Sequence, residues 1–374
     1  MNFSLTDDQR MLVDAAVGFT RKQSPVVRMR KLREDPLGWS PEVWRQMGDL
    51  GWLGLPFPEA VGGIGGSFVD LALVLEQLGT TLVPEPIVAS LVAGMAILKA
   101  GDARQQHAWL TPMVSGHSSL ALAWAELEGR YDPARVATRA VRSPGGFRIT
   151  GQKRFVLDGH AAKQLVVSAR DSSAVALYVV DAGAEGVTVQ SVKTFDGRRA
   201  AMVDFDVEVA PDRRLGGDGL AALTYALDVG AAAACAEGVG IMRAVLAMTT
   251  EYLRTREQFG VKIGSFQVLQ HRAVDMFIET ELAYSAALAA AIRIDGDDLA
   301  ERTAAVSSAK VQLAESGRYV TQQAIQLHGG IGITDEHDVG LYLKRMLVLN
   351  AVFGDAEHHL ARFASRPAFL AGIT

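Results

Sequence analysis

A chain of 374 residues is long enough for two or three domains with sizeable cores. Its net charge of −5 provides no basic surface of the kind that nucleic acid requires, so we expect no nucleic-acid partner. The single cysteine, Cys235, excludes an internal disulfide and a cysteine-built metal site, and its Ala-rich surroundings predict a small core residue. No apolar run approaches a membrane span and the N-terminus shows no export signal, so we expect a cytoplasmic protein without a bound metal.

The first third of the chain has helical periodicity. Thr6 and Gln9 have the spacing of a capping box, and the helix that follows carries apolar residues on one face. A second helical segment precedes a turn-rich stretch with six glycines over residues 51–66. Residues 68–115 return to helical periodicity. We therefore predict an all-α N-terminal domain over residues 1–116.

Near residue 118 the apolar period changes from helical to alternating. Short apolar or alternating runs between turn residues are typical of β-strands. We predict strands at residues 120–124, 146–151, 164–169, 175–180 and 203–209. Residues 117–215 should therefore form a middle domain that is a small antiparallel β-barrel or sandwich.

From Gly219 the chain is helical again. Small and apolar residues recur at helical spacing in two stripes, which are Leu269, Ala273, Met276, Thr280, Ala283 and Ala287, then Val306, Ala309, Leu313, Val320, Ala324 and Leu327. Small residues on such stripes favour close helix packing. We predict a C-terminal four-helix bundle over residues 216–374, which makes the whole chain a multidomain α+β protein.

The stretch from residue 254 to residue 267 separates two long helical segments. Arg256 carries a permanent charge with several donors that suit a pyrophosphate. Gly260 lets the backbone approach a ligand closely, and Phe259 can cover an aromatic ring. The alternative is a helix end followed by a loop that packs on Phe259.

Several motifs, taken together in their order, resemble the acyl-CoA dehydrogenase family over nearly the full length of the chain. These motifs are Pro58-Glu59-Ala-Val-Gly62-Gly63, Gly151-Gln-Lys153, Val209-Ala-Pro211, Arg256-Glu-Gln-Phe259-Gly260 with Phe266-Gln267, and Gln326-Leu-His328-Gly329-Gly330-Ile-Gly332. The resemblance implies that family's three-domain fold, its FAD cofactor and its acyl-CoA substrate. It also implies a tetramer in which each FAD lies between two subunits, and electron-transfer flavoprotein as the electron acceptor.

In this family one subunit holds the flavin ring and its neighbour holds the pyrophosphate and adenosine end of FAD. The resemblance assigns to the neighbour-facing set Arg256, Phe259, Gln267, Gln326, Gly329 and Gly330, with His358 as a further contact. For His328 we expect a packed or hydrogen-bonded histidine without a chemical role.

The flavin-ring half departs from the family pattern. The family's Thr-Glu-Pro followed by Gly-Ser-Asp is here Trp124-Ala-Glu126-Leu-Glu-Gly129, in which Glu126 is either an echo of the family glutamate or an exposed strand end. The family's Trp-Ile-Thr becomes Phe155-Val-Leu157, and leucine has no hydroxyl for the flavin. Both changes remove polar partners of the ring.

The family's catalytic base is absent as well. Proton removal next to a thioester carbonyl requires a carboxylate close to the α-carbon. The usual glutamate position is Gly354, and the position that a minority of members use is Gly230, near a retained Asp228 that is a candidate for substrate binding. Asp355 is the nearest carboxylate and the candidate base, with a solvated or capping aspartate as the alternative.

These departures favour one subunit of a heteromeric acyl-CoA dehydrogenase, similar to the small or β-like subunits of enzymes acting on pimeloyl-type or steroid side-chain substrates. Such a subunit supplies half of the FAD site to a partner that carries the base. A self-sufficient homotetramer using Asp355 is the first alternative. A non-enzymatic scaffold of the same fold and a flavin monooxygenase or oxidase are the others.

Overall fold

A computed structural model describes residues 4–366 of the protein. Its helices are α1 (Asp7–Lys22), α2 (Val26–Leu32), α3 (Pro41–Asp49), α4 (Phe68–Gly79), α5 (Ile87–Ala100), α6 (Ala103–Val114), α7 (Gly219–Thr255), α8 (Gln267–Ile294), α9 (Leu299–His328), α10 (Val339–Ala351) and α11 (Ala356–Ala364). Short 3₁₀ helices lie at Trp52–Gly54, Glu59–Val61, Pro211–Arg213, Ile263–Ser265 and Gly329–Ile333. The predicted order of helices, then strands, then helices is confirmed.

The strands are β1 (Leu120–Ala123), β2 (Arg139–Ser143), β3 (Gly146–Leu157), β4 (Gln164–Asp171), β5 (Ala174–Asp181), β6 (Val187–Lys193), β7 (Arg199–Val209), β8 (Glu257–Gln258) and β9 (Val261–Lys262). The first seven form one curved sheet, a half-barrel, in the order β1-β4-β2-β3-β7-β6, with β5 paired to β4. Most pairings are antiparallel, as predicted, but β1 and β2 run parallel to β4. The sequence did not indicate β2 and β6 because neither has a sustained apolar alternation: β2 has two arginines and one buried residue, and in β6 the alternation breaks after Val189.

The described chain divides into two compact units. The first contains residues 4–31, Phe68–Val83 and residues 231–366, and the second contains Leu32–Ser67 and Pro84–Gly230. The predicted boundaries at residues 116 and 215 describe a different, three-domain division, which stays a prediction.

In the first unit, α4 and α7 pack at unusually close range. Gly79 lies against the Glu237 carbonyl and Gly240 against the Glu76 carbonyl, and a Cβ at either glycine would overlap that backbone. The Arg345 side chain of α10 is bound to Glu237 through two parallel hydrogen bonds, Nε–Oε1 at 2.7 Å and Nη2–Oε2 at 2.8 Å. These contacts tie α4, α7 and α10 together.

The predicted features of the helices in this unit are also present. Thr6 caps α1 with the reciprocal Gln9 contact of a capping box. The stripe on α9 is buried throughout, and on α8 the buried members are Met276, Thr280, Ala283 and Ala287. Cys235 is 1% exposed, as predicted for a core residue, and burial raises its thiol pKa to about 12.

The core of the second unit lies inside the curved sheet. Its buried side chains alternate along β3 and β7, as the sequence pattern of a half-buried strand requires. Two polar contacts attach helices to this sheet: Trp44 Nε1 donates to the Ser118 carbonyl at 3.1 Å, and Ser90 Oγ lies between the backbone carbonyl and N–H of Leu120.

The expectation that no apolar run approaches a membrane span is wrong for α7, which among the described helices is long and apolar enough for one, with a mean hydropathy of 1.5 in its most apolar window. Of that window, 83% is buried inside the folded protein, which is typical of a core helix.

Candidate active site

The segment that begins at Arg256 forms a two-residue hairpin, β8–β9, between α7 and α8. Gln258 pairs with Val261, so Phe259 and Gly260 form the turn, with φ of +54° and +75°. This turn type prefers Asn-Gly, because a bulky side chain in the left-handed region is strained. Phe259 is nevertheless placed there with 90% of its surface exposed. The hairpin therefore presents an aromatic ring to solvent at an energetic cost.

Arg256 is exposed at the base of this hairpin, and its backbone is fixed on both sides. Its N–H donates to the Tyr252 carbonyl at 2.9 Å, and its carbonyl accepts from the Ile263 N–H at 2.9 Å. Within residues 4–366, no carboxylate or hydrogen-bond acceptor engages its guanidinium. A fixed backbone with a free guanidinium suits an anionic ligand.

A second exposed segment follows the end of α9. Gln326 is exposed, and Gly329 leaves the helix with φ of +63°. A Cβ at Gly329 or Gly330 would meet no atom of residues 4–366 within 4 Å, so these two residues line an open surface of the described chain. Gln267, the first residue of α8, is exposed as well.

The exposed residues of the first unit fit the polar half of FAD. A free guanidinium matches a pyrophosphate, amide side chains match ribose and base, and bare glycines allow close approach. The residues that would hold this half are Arg256, Phe259, Gln267, Gln326, Gly329 and Gly330.

The position of the absent base, Gly354, lies in a tightly folded segment after α10. Phe353 has φ of +59° and Gly354 has φ of +109°. A Cβ at Gly354 would lie 2.6 Å from His358 Cδ2 and 2.6 Å from His359 Nε2. The two imidazoles therefore fill the space that any side chain at residue 354 would need.

Two buried side chains hold this segment in place. Lys310 Nζ donates to the carbonyls of Leu349 at 2.6 Å and Val352 at 2.9 Å, and so supplies a donor to carbonyls at the buried C-terminal end of α10. Burial lowers the Lys310 pKa to about 8. His359 lies with Nε2 3.0 Å from the Phe353 carbonyl, and burial, with the Lys310 charge, lowers its pKa to about 3.

The candidate base, Asp355, is half-buried and caps α11. Its Oδ1 accepts the backbone N–H of His358 at 2.9 Å. The structure therefore brings Gly354, Asp355 and His358 together, with the aspartate in a capping role. Asp228 and Gly230 lie on α7 in the second unit, where both are buried, with Asp228 1% exposed.

In the second unit, Glu126 is part of a buried polar cluster. Lys153 Nζ donates to Glu126 Oε1 at 2.6 Å and to Ser168 Oγ at 2.9 Å. Glu126 also accepts from Thr138 Oγ1 at 2.7 Å and from the Ala137 N–H at 2.6 Å. The interpretation of Glu126 as an exposed strand end is wrong, because the residue is only 9% exposed.

Both members of this pair are charged at neutral pH. Burial raises the Glu126 pKa, but Lys153, Thr138 and Ala137 outweigh it and the net shift is downward. Burial lowers the Lys153 pKa to about 8, against the attraction of Glu126. The pair fastens the end of β1 to β3, helped by the Arg154 N–H that donates to the Ala125 carbonyl at 2.8 Å.

Beside this cluster the β3 strand bulges at the segment that replaces the family's Trp-Ile-Thr. The register shifts between Lys153 and Val156, and Phe155 adopts φ of +54° with 42% exposure. A bulge turns a side chain away from the sheet. The surface at this point is apolar, with Leu157 half-buried next to it.

Sequence reasoning missed Lys310, His359 and the Lys153–Glu126 pair. Lys310 had a signal, since it follows Ala309 on the apolar stripe of α9, where a lysine has to find buried acceptors. The Lys153–Glu126 pair had none, because its members lie twenty-seven residues apart along the chain. His359 had none either, because its burial depends on how α11 packs against α9, where Ser307 faces it.

Comparisons with known proteins all indicate the same family. The models of the acyl-CoA dehydrogenase N-terminal, middle and C-terminal domains match residues 6–117, 121–207 and 217–367. The probable acyl-CoA dehydrogenase YngJ of Bacillus subtilis (strain 168) is 30% identical, over 96% of this chain and 97% of that protein.

Solved structures agree with this result. The ChsE4-ChsE5 complex from Mycobacterium tuberculosis superposes with a TM-score of 0.90 at 28% identity, covering 98% of this chain and 100% of that chain. A variant of the Tcur3481-Tcur3483 steroid ACAD superposes with a TM-score of 0.88 at 29% identity, covering 98% of both chains.

Proposed function

The chain belongs to the acyl-CoA dehydrogenase family of FAD-dependent oxidoreductases, and from this premise we propose that it is the degenerate subunit of a heteromeric enzyme. The enzyme would carry out α,β-dehydrogenation of an acyl-CoA thioester. This chain would contribute the nucleotide-holding half of the FAD site, and a partner subunit of the same fold would contribute the flavin-ring half and the base.

The observation that carries the proposal is the closed base position. Two imidazoles and a φ of +109° exclude a side chain at Gly354, and the neighbouring Asp355 is engaged as a helix cap. In contrast, the guanidinium of Arg256 is exposed and has no acceptor among residues 4–366. The chain therefore has a guanidinium available for a neighbouring subunit's cofactor, whereas the position of its own catalytic base is occupied by histidine side chains.

The two solved relatives support the heteromeric part of the proposal, since each is described as a pair of differently named chains. The Tcur3481-Tcur3483 protein is described as a steroid ACAD. By analogy with them, we propose that this chain is part of a mixed tetramer and that the substrate is a steroid side-chain or dicarboxylic acyl-CoA. By analogy with the family, we also propose a cytoplasmic location and electron-transfer flavoprotein as the electron acceptor.

In this arrangement, bound FAD supplies the acceptor for the hydride that leaves the β-carbon. The Arg256 guanidinium neutralises the phosphates, and Gln267 and Gln326 satisfy polar groups of the adenosine end. Phe259, held at the hairpin tip, covers an aromatic ring and excludes water. None of these residues moves a proton of the substrate, which is left to the partner.

The proposal is tested by purifying the chain alone and assaying acyl-CoA oxidation with an artificial electron acceptor. We expect no turnover until a catalytic partner subunit is co-expressed. In the mixed complex, Arg256→Ala should lower flavin content, whereas Arg254→Ala, an exposed arginine two residues earlier, should not. Full activity of the isolated chain would refute the proposal.

The second candidate is a self-sufficient homotetramer that uses Asp355. It is favoured by the half-buried position of this carboxylate directly after Gly354. If the isolated chain proves active, Asp355→Asn should abolish turnover while Glu357→Gln, two residues further along on the exposed side of α11, should not. Unchanged turnover of the Asp355 variant excludes this candidate.

A further inference from the structure

Three aromatic rings of the first unit pack against one another. His328, the last residue of α9, lies with its ring centroid 4.6 Å from that of Tyr252, at an interplanar angle of 27°. On another side its centroid is 4.6 Å from that of His337, which precedes α10, at 52°. His328 is only 2% exposed, so the three rings form a packed cluster, the Tyr252–His328–His337 stack.

The hydrogen bonding of His328 fixes its neutral form. Nδ1 lies 2.8 Å from the Ala324 carbonyl, which can only accept, so Nδ1 carries the proton. The other nitrogen, Nε2, is buried without a hydrogen-bond partner within residues 4–366. Protonation of Nε2 would therefore create a buried charge with no acceptor, beside a second imidazole.

The stack connects the two exposed segments that are far apart in sequence. Tyr252 lies on the last turn of α7, and its carbonyl accepts the Arg256 N–H at the base of the hairpin. His328 directly precedes Gly329 and Gly330. Gly332 is packed on it as well, because a Cβ at residue 332 would lie 3.0 Å from His328 Cβ.

We propose that His328 is a positioning residue, whose neutral ring, stacked on Tyr252 and packed against His337, fixes the Arg256 hairpin relative to the Gly329–Gly330 segment. The inference rests on the proposed function, in which both segments hold one nucleotide. Pyrophosphate and adenosine contacts require two surfaces in a fixed relation, and misplacement by about 1 Å is costly. Protonation of His328 expels its ring and separates the two surfaces.

The surroundings define the direction of the pH effect. Burial, together with His337, lowers the His328 pKa below its usual range, against the Ala324 carbonyl. The titratable groups that face the ring are Tyr252 from α7 and His337 from the turn before α10. The charges flanking His337, Asp335 and Asp338, are paired with Arg30. The stack is therefore intact at neutral pH and fails on acidification.

Hydrogen–deuterium exchange of the full-length chain, followed from pH 7.5 downward to the onset of acid unfolding, tests this positioning role without any cofactor. After correction for intrinsic rates, we expect the hairpin and the Gly329–Gly332 segment to lose protection together as the pH falls. His328→Ala should cause the same joint loss at pH 7.5. His328→Phe, which keeps a packed ring but cannot titrate, should retain protection at the pH where the wild type loses it.

The matched control is His271→Ala, an exposed histidine on α8, which should leave both segments unchanged. Loss of protection in the Gly329–Gly332 segment alone would overturn the proposal, as would acid sensitivity that persists in His328→Phe.

A titration of the same variants with FAD, followed by flavin fluorescence, should show affinity at least tenfold weaker for His328→Ala than for wild type. Joint loss of protection combined with equal FAD affinity would refute the positioning role. If His328 couples the segments but no form of the chain, alone or with a partner, binds FAD, the coupling stands and the proposed function fails.

Discussion

Replacing Gly354 with alanine should destabilise the protein by about 2–5 kcal/mol. The new Cβ would lie 2.6 Å from carbon and nitrogen atoms of His358 and His359, about 1 Å inside normal contact. Overpacking of this kind costs about 1–3 kcal/mol. A non-glycine residue at φ of +109° adds on the order of 1–2 kcal/mol of backbone strain. The two imidazoles cannot retreat easily, since His359 is 1% exposed and bonded to the Phe353 carbonyl.

Urea unfolding followed by circular dichroism measures this cost, with Gly18→Ala as the matched control. Gly18 lies inside α1, and a Cβ there meets nothing within 4 Å, so that variant should be unchanged or up to about 1 kcal/mol more stable. Gly354→Glu should be no more stable than Gly354→Ala and should not give the isolated chain activity. A Gly354→Glu protein of wild-type stability that oxidises acyl-CoA would refute the idea that the base position is closed.

Three further predictions concern the first unit. The pKa of His359 is about 3 in the folded protein, so between pH 3 and the ordinary histidine pKa only the unfolded state binds a proton at this residue. The free energy of unfolding should therefore fall by about 2 kcal/mol from pH 7 to pH 5 through this group. His359→Gln should flatten that pH dependence in urea titrations at each pH. Arg345→Met removes the guanidinium partner of the buried Glu237 carboxylate and should cost about 3–5 kcal/mol in unfolding free energy. The double variant with Glu237→Leu should recover most of the loss, and an equal loss in both variants would show that the ion pair is not the cause. Phe259→Asn should raise stability by up to about 1 kcal/mol, because Asn-Gly suits the turn, yet lower flavin content in the mixed complex; unchanged flavin would remove Phe259 from the cofactor site.

Much of the fold was accessible from sequence because its signals are local. The capping box at Thr6, the alternation along β7 and the helical stripes of α8 and α9 each depend on residues within one element. The parallel pairing of β1 with β4 depends instead on a connection of forty residues, from residue 124 to residue 163, which no local period reports. The division into two discontinuous units has the same origin, since residues 68–83 join a unit whose largest part begins at Ala231.

For the candidate site, the residue types could be predicted but their environments could not. From the sequence, Gly354 indicates only that the catalytic carboxylate is absent, whereas the structure shows that His358 and His359 fill the space around this glycine. The sequence could not show that Glu126 is buried, because Lys153, its buried partner, lies twenty-seven residues away along the chain. Buried polar pairs of this kind depend on tertiary contacts, which a single sequence does not display.

The division of labour between two subunits is tested most directly by counting flavin. The chain should be co-expressed with acyl-CoA dehydrogenase homologues from its own genome, and the FAD content of each purified complex should be measured against its chain composition. We predict one FAD for every two chains in an active mixed complex, and a chain that does not oxidise acyl-CoA when purified alone. One FAD for every chain, in a homo-oligomer that oxidises acyl-CoA by itself, would contradict the account.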